Sequence, residues 1–414
     1  MSEVTPVAPD TMTWLRDLVA IDTTSRHSNR ALIDLVAERL AALGLEPHVR
    51  PSDDQPEKAN LIVTIPAADG AVTGGVVLSG HTDVVPVDGQ DWSTDPWTVH
   101  LRDGRLYGRG TADMKGFIAS VLAAMPAMQA ADLAEPIHLV LSYDEEVGCL
   151  GGAQITKDLA DLGLAPDRCL VGEPSSLRVI GGHKSINVVE VRFTGVAAHS
   201  SLTDQGVNAI EYAAELVSAV RARADRWRTD GPYDPAYLVP HTTASVNMIS
   251  GGAAQNIVAD TCGVTFEFRT IAADDPAETI AWIDGLADDL QQRMRAEQPG
   301  AAVDVDVLVG VPGLETAAAS PARTLGVAIG GLASADKVTY GTEAGLFAAA
   351  GVDTVVCGPG DIAQAHTPDE FVEVSQLEAC DELIAALITE LSTSIPTTTT
   401  TTAAQRPLPE SDRR

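Results

Sequence analysis

Basic residues are scarce in this sequence: 27 lysines and arginines stand against 58 aspartates and glutamates, a net charge of -31 over 414 residues. Such an imbalance repels nucleic acid and anionic membrane surfaces, so neither is expected as a partner. It attracts cationic substrates or metal ions, but one site can use only a handful of these carboxylates, and a solvated acidic surface accounts for most. Long apolar runs are missing too. The apolar runs, such as residues 75–78 and 137–141, have strand length and fall far short of the roughly 20 residues of a membrane helix. Cysteine is sparse: Cys149, Cys169, Cys262, Cys357 and Cys380 are odd in number, scattered and never spaced C-x-x-C. That argues against a disulfide framework or a cysteine zinc site and for reduced thiols in an intracellular protein. No basic leader precedes an apolar stretch in the first twenty residues, so no secretory signal is expected and a cytoplasmic location follows. There is no internal repeat, and no G-x-S-x-G elbow to support a Ser-His-Asp hydrolase.

What is present is a globular composition, 45% hydrophobic, in a chain too long for one ordinary core. Helical spacing over 11–20 and 31–44 is followed by strand-length runs at 60–65, 75–79 and 137–142, with a helix over 116–130 that Pro126 can kink or end. Strands alternating with helices predict an α/β domain with a central, mostly parallel sheet. From about Gly182 the pattern changes: strand 186–194, helix 207–226, strands 243–248 and 257–269, helix 275–295, strand 302–309. That order predicts an inserted α+β, ferredoxin-like unit, an antiparallel sheet with two helices on one face. The α/β pattern resumes with helix 324–331, strand 353–357 and helix 375–391. The expected organisation is a first domain from 1–181 and 313–394, an insert over 182–312, and a disordered threonine-rich tail over 395–414.

The residues with chemistry lie mostly just past predicted strands, where ligands gather in open α/β sheets. His81, in Gly80-His81-Thr82-Asp83, offers an imidazole, and Asp83 can hold its other ring nitrogen; a lone H-x-D also arises by chance. Asp113 sits among glycines in Gly108-Arg109-Gly110-Thr111-Ala112-Asp113, before a helix that it could simply cap. Glu145 and Glu146 follow Asp144 at a strand end, where adjacent carboxylates repel unless a cation compensates them or water solvates the turn. Glu173 follows the apolar run 169–171, and His366 follows the strand 353–357. Five oxygen or nitrogen donors on one rim, with no thiolate, suit zinc, cobalt or manganese.

The spaced set His81-Thr82-Asp83, Gly108 to Gly116, Asp144 to Gly148, Gly172-Glu173-Pro174 and Ala365 to Glu370 resembles the M20 metallopeptidase family over almost the whole chain. The resemblance implies a zinc-peptidase-like catalytic domain with an inserted lid that also forms a homodimer. It implies two divalent metal ions, zinc foremost with cobalt able to substitute. Asp113 would bridge them, His81 and Glu173 would complete one, and Glu146 and His366 the other. Glu145 would be the general base, Asp83 would orient His81, and the peptide after Asp113 would be cis. His199, in Ala198-His199-Ser200-Ser201, resembles the lid histidine that stabilises the oxyanion, typically across the dimer. The chemistry stands without the name: two metals activate a water and polarise an amide, and a free carboxylate moves the proton.

Segments 22–25, 145–151, 198–201, 205–210, 340–345 and 358–370 resemble the acetylornithine-cleaving branch of the family. The implied substrate is a small N-acyl amino acid. Arg269 and Asn256 are candidates for its carboxylate, and Glu343 for a side-chain ammonium. An ion pair at a strand end, a turn residue and a solvated carboxylate are the structural alternatives for these three. A succinyl-diaminopimelate desuccinylase, a broad deacylase or a dipeptidase would use the same metals, while a non-catalytic binding protein on this fold would show a broken set.

Overall fold

The computed structural model describes residues 8–392, so the tail over 395–414 lies outside the described residues. Its centre is a six-stranded sheet whose neighbours run His48–Pro51, Ala59–Ile65, Ile137–Ser142, Val76–His81, Arg168–Pro174 and Asp353–Gly358. The last four are mutually parallel, and only Ala59–Ile65 runs against the rest. Their apolar runs read as continuous because helices cover both faces. On one face Pro9–Val19, Arg30–Ala42, Lys115–Ala130 and Val374–Leu391 share a core with Leu61, Leu78, Leu139 and Val355. On the other, Leu150–Asp161 and Ala344–Ala349 pack through Ile155, Leu159 and Phe347 against Ile62, Val77, Val140 and Val171. This is the expected α/β layering. The helix through Pro126 does not stop there but runs to Ala130. The helix Leu150–Asp161 was not anticipated, since Gly151 and Gly152 in its first turn weaken the helical signal.

The chain leaves this layer through Gly182–His183 and returns through Leu314–Glu315, and these two strands pair antiparallel with each other. Between them lies a four-stranded antiparallel sheet ordered Thr243–Gly251, Thr261–Arg269, Ile186–Thr194, Ala302–Val311. The helices Ala209–Asp230 and Pro276–Glu297 cover one face of it, burying Val189, Val191, Phe193, Val264, Phe266 and Phe268 with Leu216, Ile283 and Leu290. Strict alternation along Thr261–Arg269 sends Glu267 and Arg269 to the opposite, uncovered face. The strand expected from 257 starts at Thr261, because Ile257 instead bridges to His199. Among the described residues no helix is long and apolar enough to cross a membrane.

Candidate metal centre

Four adjacent parallel strands deliver the site at their carboxyl ends. His81 ends Val76–His81, Glu173 lies near the end of Arg168–Pro174, Glu145 and Glu146 follow Ile137–Ser142, and His366 follows Asp353–Gly358. Asp113 reaches the same rim from the loop before Lys115–Ala130, and the Asp113–Met114 peptide is cis. Gly172, beside Glu173, cannot carry a side chain, since a Cβ there would lie 2.1 Å from the Phe117 ring of that helix.

His81 Nε2 stands 2.9 Å from Asp113 Oδ1 and 3.6 Å from Glu173 Oε1. His366 Nε2 stands 3.2 Å from Asp113 Oδ2 and 3.1 Å from Glu146. The two oxygens of Asp113 thus face different imidazoles. Donor atoms of His81, Asp113 and Glu146 lie within 4.8 Å of one another, as do those of His81, Glu145 and Glu173, so each group could hold an ion. Glu173 Oε1 is buried without a hydrogen-bond partner, an expensive state for a carboxylate oxygen unless a cation meets it.

The electrostatics point the same way. Burial, with Glu146, Asp113 and Asp83 close by, pushes Glu145 up to about 8 against the pull of His81. Burial and Asp113 push Glu146 up to about 7, and burial and Asp113 raise Glu173 well above the carboxylate range. His366 is raised to about 10 by its hydrogen bonds to Asp113 and Glu146. For His81 burial alone would lower the pKa, but bonds to Asp113 and Asp83 and the charge of Glu173 outweigh it and raise it. Among the described residues the positively charged partners of this anionic cluster are imidazoles, which suits it to divalent cations.

Asp83 has a broader task than the one expected. The Nδ1–H of His81 donates to the Asp83 main-chain carbonyl at 2.9 Å, while the Asp83 carboxylate stands 3.5 Å from that nitrogen. The carboxylate accepts the main-chain N–H of Glu145 at 3.0 Å, that of Glu146 at 3.3 Å, and the Ser25 hydroxyl at 2.8 Å. It therefore fixes the Glu145–Glu146 loop as well as the imidazole. Sequence reasoning missed Glu370, whose buried carboxylate accepts the main-chain N–H groups of Gly110, Ala112 and Asp113 and the guanidinium of Arg109 at 2.6 Å. It stood in the sequence as the last residue of the family-like segment Ala365 to Glu370, with no role assigned to it.

Above the cluster opens a cleft of about 340 Å³, within the range of small-ligand sites. Its walls include Asp113, Glu145, Glu146, Glu173, Tyr340 and His366 below, and Ile186, Val188, Glu267, Arg269 and Val309 from the uncovered face of the antiparallel sheet. Arg269 is held by Glu267 through two bonds, of 2.7 and 3.1 Å. Glu343 corrects the expectation that it faces a substrate ammonium. It is fully buried beneath the rim, where the hydroxyls of Ser79 and Ser142 donate to it at 2.6 and 2.8 Å. His199 and Asn256 do not line this cleft either. They lie on two joined segments, where Ser200 N–H donates to the Asn256 carbonyl at 3.0 Å and His199 is solvent-exposed against Ser201.

Comparison with known proteins agrees with this geometry. The family model for peptidase family M20/M25/M40 matches residues 77–390, a stretch holding every donor described. An acetylornithine deacetylase of Proteus mirabilis is 35% identical over 375 residues, covering 89% of this chain and 92% of that protein. A tripeptidase of Staphylococcus aureus aligns with a TM-score of 0.71 at 21% identity, over 94% of this chain and 99% of its own. A dinuclear metal-binding peptidase of Bacillus subtilis aligns with a TM-score of 0.64 at 13% identity, over 92% and 97%. With the donor cluster at the rim of this sheet and the family match running through it, the chain belongs to peptidase family M20/M25/M40 and is a metal-dependent hydrolase.

Proposed function

We propose that this protein cleaves the amide bond of a small N-acyl amino acid, N2-acetyl-L-ornithine foremost, to give the free amino acid and the carboxylic acid. The observation that carries the reading is one cleft holding an anionic donor cluster on one wall and a guanidinium, Arg269, on the other. His81, Asp113 and Glu173 would hold one divalent ion and Asp113, Glu146 and His366 a second, an assignment supported by the approach of His81 to Asp113 and Glu173 and of His366 to Asp113 and Glu146 and by the unpartnered Glu173 oxygen. Zinc suits nitrogen and oxygen donors without thiolate, and cobalt prefers the same set. When bound, such ions polarise the amide carbonyl and lower the pKa of a water beside them.

The chain's own residues do the rest. Glu145 takes the proton from the attacking water and gives it to the leaving nitrogen, a transfer that suits a carboxylate lining the cleft beside the donor cluster. Asp83 keeps Glu145 beside the cluster through the loop's main-chain N–H groups. Arg269 pairs with the substrate carboxylate. His199 and Asn256, outside the cleft of their own chain, would serve a second copy joined through the four-stranded layer, a reading supported by exposed Met248 and Ile249 on its edge strand. We take 1–181 with 313–394 as the catalytic domain and 182–312 as the lid. Five unpaired cysteines support a reducing, cytoplasmic setting.

The test is turnover of acetylornithine, succinyl-diaminopimelate and acetylmethionine by the same preparation, before and after chelation and after zinc or cobalt is restored. Preference for acetylornithine, lost on chelation and regained with metal, is expected. Equal rates would reduce the reading to a general deacylase, and indifference to chelation would refute the metal chemistry.

A further inference from the structure

The lid side of the cleft holds a carboxylate that neither the metal cluster nor the proton transfer uses. Glu267 lies two residues before Arg269 on the strand Thr261–Arg269, and the pleat turns both onto the uncovered face. In register it stands beside Val188, which in turn faces Val309 across the next pair. With Ile186 these valines form an apolar strip along the cleft wall, ending at an acid. Glu267 is one-third exposed and Arg269 about a quarter (33% and 27%), so both can exchange partners without crossing the core.

We infer that Glu267 is a specificity-determining residue: it releases Arg269 to the substrate carboxylate and itself receives a cationic group at the end of an aliphatic side chain. This rests on the proposed function for the carboxylate on Arg269, and adds the chemical class of the side chain. The two lid charges pair with each other. A ligand with a carboxylate and an ammonium several methylenes apart replaces that one pair by two, while its methylenes cover Ile186, Val188 and Val309. A ligand with a neutral side chain takes Arg269 and leaves Glu267 without its charged partner, which costs affinity. The other cleft carboxylates, Asp113, Glu145, Glu146 and Glu173, all belong to the cluster at the opposite wall.

The experiment compares acetylornithine with acetylnorvaline, which differ only by the terminal amine. Binding of each to the full-length protein is measured by calorimetry, and kcat/KM by amine release, for wild type, Glu267→Gln and Glu267→Lys. Charged hydrogen bonds of this kind set an expected fall in the acetylornithine-to-acetylnorvaline ratio of about ten- to a hundredfold in Glu267→Gln, and an inversion in Glu267→Lys. Parallel loss of both ligands, with the ratio unchanged, would overturn the inference and leave Glu267 as a support for Arg269. A wild type that binds with the expected ratio but hydrolyses neither compound would refute the proposed function alone, since the binding ratio is read without turnover.

Discussion

Glu370→Gln isolates what holds the loop of Asp113. Each carboxylate oxygen of Glu370 accepts two bonds: Oε1 those of the Ala112 and Asp113 N–H groups, Oε2 those of the Gly110 N–H and the Arg109 guanidinium. Whichever oxygen the amide NH2 replaces, two donors then meet a donor. Each charge-assisted bond is worth about 1.5–3 kcal/mol, and stranding a buried charge such as Arg109 costs about 3–5 kcal/mol. These losses overlap, so a net destabilisation of about 3–5 kcal/mol is expected. The same substitution loosens Asp113, and changes one step behind the donors typically cost ~10- to 100-fold in metal affinity. The assay is a zinc titration against a chromophoric chelator, run beside thermal unfolding. Glu373→Gln is the control, being a partly exposed carboxylate 3.6 Å from Arg105 in the same segment. A Glu370→Gln protein with unchanged zinc affinity and unfolding midpoint would refute the reasoning.

Glu145→Gln is expected to lower turnover by about 10²–10⁴-fold while the metal content measured by elemental analysis stays at the wild-type level; an active variant would reassign the base. The metal-stripped protein should lose stability as pH rises. Glu145 and Glu146 start near 4.5 and stand at about 8 and about 7 in the fold, so their contribution is complete below 4.5 and lost as pH passes 7 to 8. Asp83 is lowered, so its contribution is lost only on the acid side; melting curves from pH 5 to 9 with and without zinc check this, and a metal-free midpoint that rises over that range contradicts it. Glu343→Gln can accept from one serine and donate to the other, so it should cost under about 1 kcal/mol, whereas Glu343→Ala strands Ser79 and Ser142 over a cavity and should cost about 2–4 kcal/mol. A change in acetylornithine selectivity in Glu343→Gln would return the residue to substrate binding.

His81, Glu145, Glu146 and Glu173 were legible because each follows an apolar run short enough to be a strand, and parallel strands point their carboxyl ends to one rim. Asp113, among glycines before a helix, and His366, some way past the strand 353–357, carried weaker signals, and the family-like segments around them brought them in. Glu343 was misread for a physical reason. Its sequence neighbours Gly341 and Thr342 suggest an open loop, but the hydroxyls that bury it come from Ser79 and Ser142, each more than two hundred residues away. Glu267 was missed for the converse reason: a polar residue on an alternating strand reads as solvent-facing, and nothing local says that this face closes over a cleft. Glu370 escaped because three of its partners are main-chain N–H groups, which leave no trace in residue identity, and the fourth, Arg109, is 261 positions away.

The cleft takes its one lining guanidinium, Arg269, from the antiparallel sheet, where Glu267 pairs with it, and its imidazole from the opposite wall. The catalytic wall offers carboxylates and imidazoles, and the guanidinium comes from the lid strand. On the proposed function a substrate carboxylate would meet Arg269, leaving its amide to the opposite wall. The two walls also touch through the base loop. Gly148, at φ 120, packs so closely on the lid that a Cβ there would lie 3.1 and 3.2 Å from the Val309 methyls. Val309 faces Val188, which faces Glu267, so one row of side chains runs from Gly148, two residues after Glu146, to Glu267 and its partner Arg269. A lid shifted by an unsuitable side chain must either lose contact with Gly148 or push on the loop that holds the base. The position of the substrate side chain and the placement of Glu145 are thereby mechanically linked, and a poor substrate should lose kcat as well as affinity.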